Sequence, residues 1–325
     1  MKIFDTHADI GFDVYDKHLK GETDILNTHH ISKWLQGEVY GLGMASFFKG
    51  DENLETAQAM VTALRKEIDQ NPQTIHLYNS GPFHSTKINA LMTLEGMCYI
   101  EKDPEIVLDW MYEKGIRIGS LTWNESNALS TGISGSPLRG LTELGRRAIR
   151  HMNALGIIVD VSHTNEKSFW GILEASTVPV MATHSNARVL SNVDRNLSDQ
   201  QIKAIALKGG LIGLVSAKRF ISLIEGENTA ANLAKHALHI KNLVGIDHLC
   251  IGFDYMDFLE GFQRNGIDLN DASQSQNLDT AMAEIGFSQD DLKKVCWENL
   301  ETFLNKHLNG ESARVTPILS QKSHD

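Results

Sequence analysis

Short apolar runs alternate with segments of helical periodicity along this chain, and this alternation constrains the fold most strongly. Eight apolar runs of strand length are rich in Ile, Val, Leu and Met. They cover residues 2–10, 40–48, 88–95, 116–123, 156–163, 179–184, 210–216 and 249–254. Helices are predicted over 53–68, 104–114, 142–155, 165–175, 198–208, 229–244 and 288–304. Such alternation predicts parallel strands joined by helical crossovers. Eight strands are the number in a closed (β/α)8 TIM-type barrel.

An open doubly wound sheet is the competing fold, because a miscount of one or two strands would favour it. The 325 residues suffice for one large domain, and we see no linker that divides them. We therefore predict one α/β barrel over 1–310 and a polar C-terminal tail over 311–325. The polar, histidine-containing region 14–36 is expected to be an irregular excursion rather than a clean helix.

Charge and cysteine content exclude several classes of protein. A net charge of −11 argues against a nucleic-acid binder and against adsorption to anionic membranes. No apolar run reaches the length of a transmembrane helix, and the N-terminus lacks a signal-peptide pattern. Three scattered cysteines indicate neither a disulfide framework nor a thiolate zinc site. We expect a cytoplasmic protein, and the sequence leaves its oligomeric state open, a homodimer included.

Polar residues of metal-ligand type stand where the apolar runs end. In a barrel these ends converge on one mouth, where active sites are built. Nitrogen and oxygen ligands without sulfur suit catalytic zinc or manganese better than structural zinc. Two ions that share a carboxylate would use five of these residues and leave one acid for proton transfer. The six residues are His7, Asp9, Glu95, His163, His184 and Asp254.

Each of these residues, taken alone, also has an ordinary structural explanation. His163 and His184 could be hydrogen-bonded helpers at strand ends, and Asp254 could form a turn. The joint pattern favours a metal site, because chance would have to place all six at corresponding strand ends. His236 and His239 have helical i, i+3 spacing, but a helix outside the barrel is the wrong place for the site.

Several segments together resemble the membrane (renal) dipeptidase family, metallopeptidase family M19, of the amidohydrolase superfamily. They occur in the family's order along nearly the whole chain. The matching segments are 5–9, 94–96, 158–163, 179–187, 195–199, 209–210 and 252–254. The resemblance implies a metal-dependent hydrolase that cleaves dipeptides.

Metal ligands follow from this resemblance position by position. His7 and Asp9 are similar to the ligands of a first zinc ion, and His163 and His184 to those of a second. Glu95 is similar to the carboxylate that bridges both ions. The resemblance thus implies two Zn²⁺ per chain, with Mn²⁺ or another divalent metal as a possibility, and a hydroxide between them as the nucleophile.

Three further positions concern the substrate. Asp254 is similar to the acid that moves a proton from water to the leaving amine. Arg195 is similar to the residue that binds the free carboxylate of the dipeptide, for which a guanidinium fork is suited. Trp123 departs from the family, in which many members have a histidine that helps to hold the substrate carbonyl oxygen. An indole can donate one hydrogen bond but carries no charge.

The predicted function is therefore that of a binuclear zinc dipeptidase. Two alternatives remain: an amidohydrolase-type enzyme acting on a lactone, phosphoester or cyclic amide, and a metal-binding relative without catalysis. The sequence does not define the preferred side chains, the acceptance of a D-residue or the physiological metal.

Overall fold

A single sheet of parallel strands forms the centre of the molecule. The structure, a computed structural model, describes residues 1–259 and 264–308. Within these residues nine strands pair in parallel. The strands are β1 (Ile3–Ala8), β2 (Val39–Phe47), β3 (Ile75–Leu77), β4 (Ile88–Glu95), β5 (Ile116–Ser120), β6 (Ile158–Asp160), β7 (Met181–Ala182), β8 (Leu211–Leu214) and β9 (Leu249–Ile251).

Eight of these strands close into a barrel. β1 pairs with β2 on one side and with β9 on the other, and β2 pairs with β4. Closure confirms the predicted barrel and excludes an open doubly wound sheet. The short β3 pairs with the first residues of β4, whose later residues pair with β5, so β3 lies outside the ring. Its three residues are too few to produce a recognisable pattern in the sequence.

Helices cover the outside of the barrel. Six of them begin after a side chain that accepts a hydrogen bond from the first turn, which explains why their predicted starts agree with the structure. These capping residues are Asn53, Thr142, Asn165, Ser198, Thr229 and Ser288. The helices are α1 (Ile10–Leu19), α2 (Ile31–Gln36), α3 (Leu54–Gln70), α4 (Pro104–Lys114), α5 (Glu143–Leu155), α6 (Glu166–Ala175), α7 (Asp199–Leu207), α8 (Lys218–Ile221), α9 (Ala230–Val244), α10 (Gln276–Glu284), α11 (Gln289–Lys293) and α12 (Asn299–Leu308).

The prediction of an irregular excursion over 14–36 is wrong. This region contains most of α1, a π-helical turn at Leu26–His30 and α2. Its polar side chains bind one another, since Asp13 accepts hydrogen bonds from Lys17 and, at 2.8 Å, from His30 Nε2. The polar composition therefore concealed helices whose charged groups are paired.

Large side chains fill the barrel near the N-terminal ends of the strands. Phe4 lies there against Gly41, and a Cβ on Gly41 would come within 2.0 Å of the Phe4 ring. Only glycine leaves room for this packing. The barrel is thus filled at the N-terminal ends of its strands and opens at their C-terminal ends. The other buried side chains of this layer are Leu91, Ile118, Ile158, Met181, Leu211 and Cys250.

Strands β5 to β9 end two or three residues before their predicted ends. β6 stops at Asp160 and β9 at Ile251, so His163 and Asp254 lie in the turns that follow. Both residues have a left-handed backbone, with φ of 65° at His163 and 58° at Asp254. This conformation ends the strand and directs the side chain across the mouth of the barrel. The predicted tail, 311–325, lies outside the described residues.

No helix in the described part of the chain is both long enough and apolar enough to cross a bilayer.

Candidate active site

Glu95, the last residue of β4, stands between two groups of polar side chains at the C-terminal rim. Its Oε2 is 3.3 Å from His7 Nε2. Its Oε1 is 2.7 Å from His163 Nε2 and 3.5 Å from His184 Nε2. The two oxygens of one carboxylate therefore face two different sides. We call His7, Asp9 and Asp254 the first flank, and His163 and His184 the second flank.

The first flank brings together one imidazole and two carboxylates. His7 Nε2 is 3.5 Å from Asp9 Oδ1 and 3.9 Å from Asp254 Oδ1. Asp9 lies one residue beyond β1, at the start of α1, and still meets His7 as the spacing predicted. These three atoms are buried, and none has a hydrogen-bond partner among residues 1–259 and 264–308. Buried polar atoms left in this way are costly unless a ligand completes them.

The second flank is held from behind by hydrogen bonds. His163 Nδ1 donates to Asn124 Oδ1 at 2.8 Å. His184 Nδ1 is 2.7 Å from Thr183 Oγ1, which donates to Asp160 Oδ2 at 2.5 Å. Because the Thr183 hydroxyl gives its proton to Asp160, it accepts the proton of His184 Nδ1. Both imidazoles then present an unprotonated Nε2, and these two atoms are 3.0 Å apart.

The electrostatic environment keeps the second flank neutral. Burial lowers the pKa of His163 to about 4, and the charge of Arg195 acts in the same direction. Burial also lowers the pKa of His184 well below its usual value, with His7 and Arg195 contributing. Neutral imidazoles are the form that binds metal.

In the first flank the pKa values of all three side chains are raised. Burial alone would lower the pKa of His7, but the charges of Glu95 and Asp9 outweigh it and raise this pKa well above its usual value. Burial, with repulsion from Glu95, raises the pKa of Asp9 to about 7. Burial likewise raises the pKa of Asp254, and Asp9 and Glu95 add to the effect against His7. Three neighbouring carboxylates therefore repel one another, and a divalent cation would relieve the repulsion.

The residues present fit one or more metal ions. Two sets have ligand atoms that all lie within 4.8 Å of one another: His7 with Glu95 and His184, and His7 with Asp9 and Asp254. The ligand atoms are nitrogen and oxygen only, as catalytic sites for zinc or manganese use. Together with the unpartnered atoms of the first flank, this geometry indicates a metal centre.

A cavity of about 360 Å³ opens above this centre. Its floor contains Asp9, Glu95, His163 and Asp254. Its size lies in the range of small-molecule sites. The remaining lining residues are Phe12, Phe47, Lys49, Trp123, Met256, Phe258, Leu259 and Arg264.

The model of one protein family, the membrane dipeptidases (peptidase family M19), matches residues 1–308 of the chain. The chain belongs to peptidase family M19. This confirms the resemblance seen in the sequence, and at the level of the family it confirms a metal-dependent dipeptidase class of enzyme.

Relatives of this M19 chain include bacterial and fungal proteins. It is 32% identical over 205 residues to an uncharacterized protein in the pqqA 5' region of Klebsiella pneumoniae, covering 59% of this chain and 72% of that one. It is 31% identical over 221 residues to dipeptidase tcpJ of Claviceps purpurea, covering 67% of this chain and 51% of that one. The match thus spans about half the length of the Claviceps dipeptidase.

A metallo peptidase from Rhodobacter sphaeroides, crystallised with a phosphinate mimic of the dipeptide L-Ala-D-Ala, has the same fold. It superposes with a TM-score of 0.84 and 23% identity, over 94% of this chain and 99% of that chain. At this identity the similarity establishes the M19 barrel and nothing finer.

Of the two predicted substrate-binding residues of the M19 chain, one lines the cavity and the other does not. Trp123 lines the cavity, with its ring 5.0 Å from Phe47 and 6.2 Å from His163 between centroids. Arg195 is not among the cavity-lining residues that the structure describes. Its guanidinium lies behind the second flank and donates to His184 O at 2.9 Å and to Ser185 Oγ at 2.8 Å. Its Nε is buried without a partner among the described residues.

Sequence reasoning missed the residues that position the candidate metal ligands. Asp160 had a usable signal, because it places a charge inside the apolar run 157–161. Asp5 had a similar one in β1, and it accepts backbone hydrogen bonds from His7 at 3.2 Å and Phe253 at 2.9 Å. Asn124 and Thr183 are neutral residues of common loop types, and no pattern in the sequence marked them.

The histidine pair of α9 is not a metal site. His236 Nε2 bonds to Ile221 O at 2.9 Å, and His236 Nδ1 accepts from Ala187 N at 3.1 Å. His239 Nε2 instead pairs with Asp199 at 2.8 Å. Each histidine has its own structural partner.

Proposed function

We propose that this M19 chain hydrolyses dipeptides at a dinuclear zinc centre, with manganese as the alternative metal. The observation that carries the proposal is the orientation of Glu95, whose two carboxylate oxygens face the two flanks at 3.3 Å and 2.7 Å. A carboxylate in this position can be shared by two ions. His7 and Asp9 would hold one ion, and His163 and His184 the other.

Bound ions at such a centre supply a water nucleophile at neutral pH and polarise the scissile carbonyl. Asp254 is the residue that takes a proton from this water and delivers it to the leaving amine. Its backbone is fixed on both sides, since its N–H donates to His7 O at 3.1 Å and its carbonyl accepts from Asn265 Nδ2 at 2.8 Å. The carboxylate is thereby held at the cavity floor, where the reacting bond would lie.

Arg195 is proposed to bind the free carboxylate of the substrate. Two of its N–H groups are already used, but the buried Nε retains a donor without a partner in the described chain. Binding through Arg195 would restrict substrates to short peptides that end inside the cavity. Trp123 would cover the substrate from the side of His163.

A substrate panel tests the function. We expect L,L- or L,D-dipeptides to be cleaved much faster than the corresponding tripeptides, activity to disappear with a chelator, and zinc to restore it. Equal cleavage of tripeptides would contradict the role of Arg195. Hydrolysis of lactones, phosphoesters or cyclic amides, insensitive to Arg195→Ala and without dipeptide cleavage, would replace the proposed function by the alternative one.

We also propose a cytoplasmic location. Cys98, Cys250 and Cys296 are all free thiols, which a reducing compartment would preserve. Cell fractionation followed by an immunoblot tests this location, and recovery outside the cytoplasm would contradict it.

A further inference from the structure

Three aromatic rings form a continuous wall along one side of the cavity. Phe12, from α1, meets Phe47, the last residue of β2, at 5.7 Å between ring centroids. Phe47 meets Trp123 at 5.0 Å, and the Trp123 ring lies 6.2 Å from that of His163. All three rings line the cavity. The wall therefore runs by successive ring contacts from His163 of the second flank to Phe12.

Lys49 stands at the outer end of this wall. Its ammonium lies 5.0 Å from the centroid of the Phe12 ring, and its side chain lines the cavity. The residue itself is exposed to solvent. In residues 1–259 and 264–308 no carboxylate forms an ion pair with it. Its backbone N–H donates to Glu52 Oε1 at 3.0 Å, and its ammonium is left for a ligand.

A ligand that suits this arrangement has an apolar stem and an anionic end. Methylene groups gain by contact with aromatic faces, and a carboxylate can pair with an ammonium. The side chain of glutamate has both features. The main-chain carboxylate of a dipeptide is only about 4 Å from the scissile carbonyl carbon. The side-chain carboxylate of a glutamate residue extends further from the scissile bond and therefore has the longer reach toward Lys49.

We propose that Lys49, together with Phe12, Phe47 and Trp123, forms a subsite for an acidic side chain of the substrate, so that dipeptides containing glutamate are preferred. This inference rests on the proposed dipeptidase function and specifies its substrate class. Lys49 acts on specificity, and the metal centre carries out the reaction whether or not this subsite is filled.

Matched substrates isolate the charge. Ala-Glu is compared with its neutral isostere Ala-Gln, and Glu-Ala with Gln-Ala, and kcat/KM is measured for each with the zinc-loaded protein. We expect the wild type to favour glutamate over glutamine in at least one pair. Lys49→Met removes the charge and keeps an unbranched apolar side chain, and it should lower the Glu/Gln ratio about fivefold. Lys49→Arg should restore most of that ratio.

The control is Lys293→Met. Lys293 is another exposed lysine, lies on α11, does not line the cavity and pairs with Asp290. Its Glu/Gln ratio should equal that of the wild type. Equal ratios in Lys49→Met and wild type would overturn the subsite while leaving the dipeptidase function intact. An equal loss for glutamate and glutamine substrates would also overturn it, because Lys49 would then bind the main chain. No cleavage of any dipeptide by the wild type would overturn both proposals.

Discussion

The second flank of the site is organised by hydrogen bonds from the protein, whereas the first flank contains buried polar atoms that have no partner in the described chain. His163 and His184 each have a partner for Nδ1, and both are neutral because burial lowers their pKa. In the first flank His7 Nε2 and one oxygen each of Asp9 and Asp254 have no partner among the described residues. The protein therefore holds the second flank in place, and the first flank retains atoms that a ligand can complete.

The largest effect should follow from changing the residue shared by both flanks. Glu95→Gln keeps the shape of Glu95 but removes the charge that attracts two ions, so we expect loss of bound metal and a fall in hydrolysis of about a thousandfold or more. Elemental analysis after zinc loading, together with dipeptide kinetics, measures both effects.

Glu125→Gln is the matched control for that variant. The Glu125 carboxylate is also buried without a partner in the described chain, and burial, with the charges of Glu52 and Glu95, raises its pKa. Glu125 is not part of the candidate ligand sets. The Glu125→Gln variant should bind as much zinc as the wild type. Full zinc occupancy in the Glu95→Gln variant would contradict the proposal that Glu95 is shared by two ions.

Within the first flank, Asp254 is expected to affect turnover more than zinc binding. Asp254→Asn is expected to retain zinc and to lower turnover by about 10²- to 10⁴-fold, because it removes a proton carrier rather than a principal ligand. Metal content and kcat are measured on the same preparation. Asp257→Asn, which removes the acid that pairs with Lys33 at 2.5 Å, serves as the control with near-normal turnover. Near-normal turnover in Asp254→Asn would refute the proton-transfer role.

The comparison of the two flanks also shows what the sequence can reveal. His7, Glu95 and Asp254 were predicted because a polar residue that follows an apolar strand must lie at the rim of a closed barrel. Asn124 and Thr183 were not predicted, because a neutral hydrogen-bonding residue has no distinctive pattern. The position of Arg195 behind the second flank depends on side-chain packing, which periodicity does not encode.

Zinc binding at the second flank should weaken when the hydrogen bonds that hold His163 and His184 are removed. Asp160 accepts from the Thr183 hydroxyl at 2.5 Å and from the backbone N–H groups of Ser162 at 2.9 Å and Thr183 at 3.0 Å. Asp160→Asn should weaken zinc binding about 10- to 100-fold, as measured by competition with a chelator of known affinity. Asn124→Ala should weaken it less, because Asn124 supports His163 with a single neutral hydrogen bond. A larger loss of zinc affinity in Asn124→Ala than in Asp160→Asn would contradict the greater role given to Asp160.

The smallest effect concerns stability, and it should change sign with the metal. In the metal-free protein the pKa of Asp9 is raised from 3.8 to about 7, so the folded state binds more protons than the unfolded state between these values. The stability contributed by protonated Asp9 is present below about pH 4 and is lost as the pH rises through 7. Asp9→Asn removes the buried charge, so the metal-free variant should be about 1–3 kcal/mol more stable than metal-free wild type at pH 8.

At pH 5 this advantage should shrink, because Asp9 of the wild type is then protonated. With zinc bound it should reverse, because the variant lacks a ligand. Denaturant unfolding with chelator and with zinc, at both pH values, measures these differences. His163, whose pKa is lowered to about 4, acts in the opposite direction, since its stabilising contribution is lost as the pH falls from 6.5 toward 4. A metal-free Asp9→Asn variant that is less stable than wild type at pH 8 would show that hydrogen bonds, and not charge repulsion, govern the first flank.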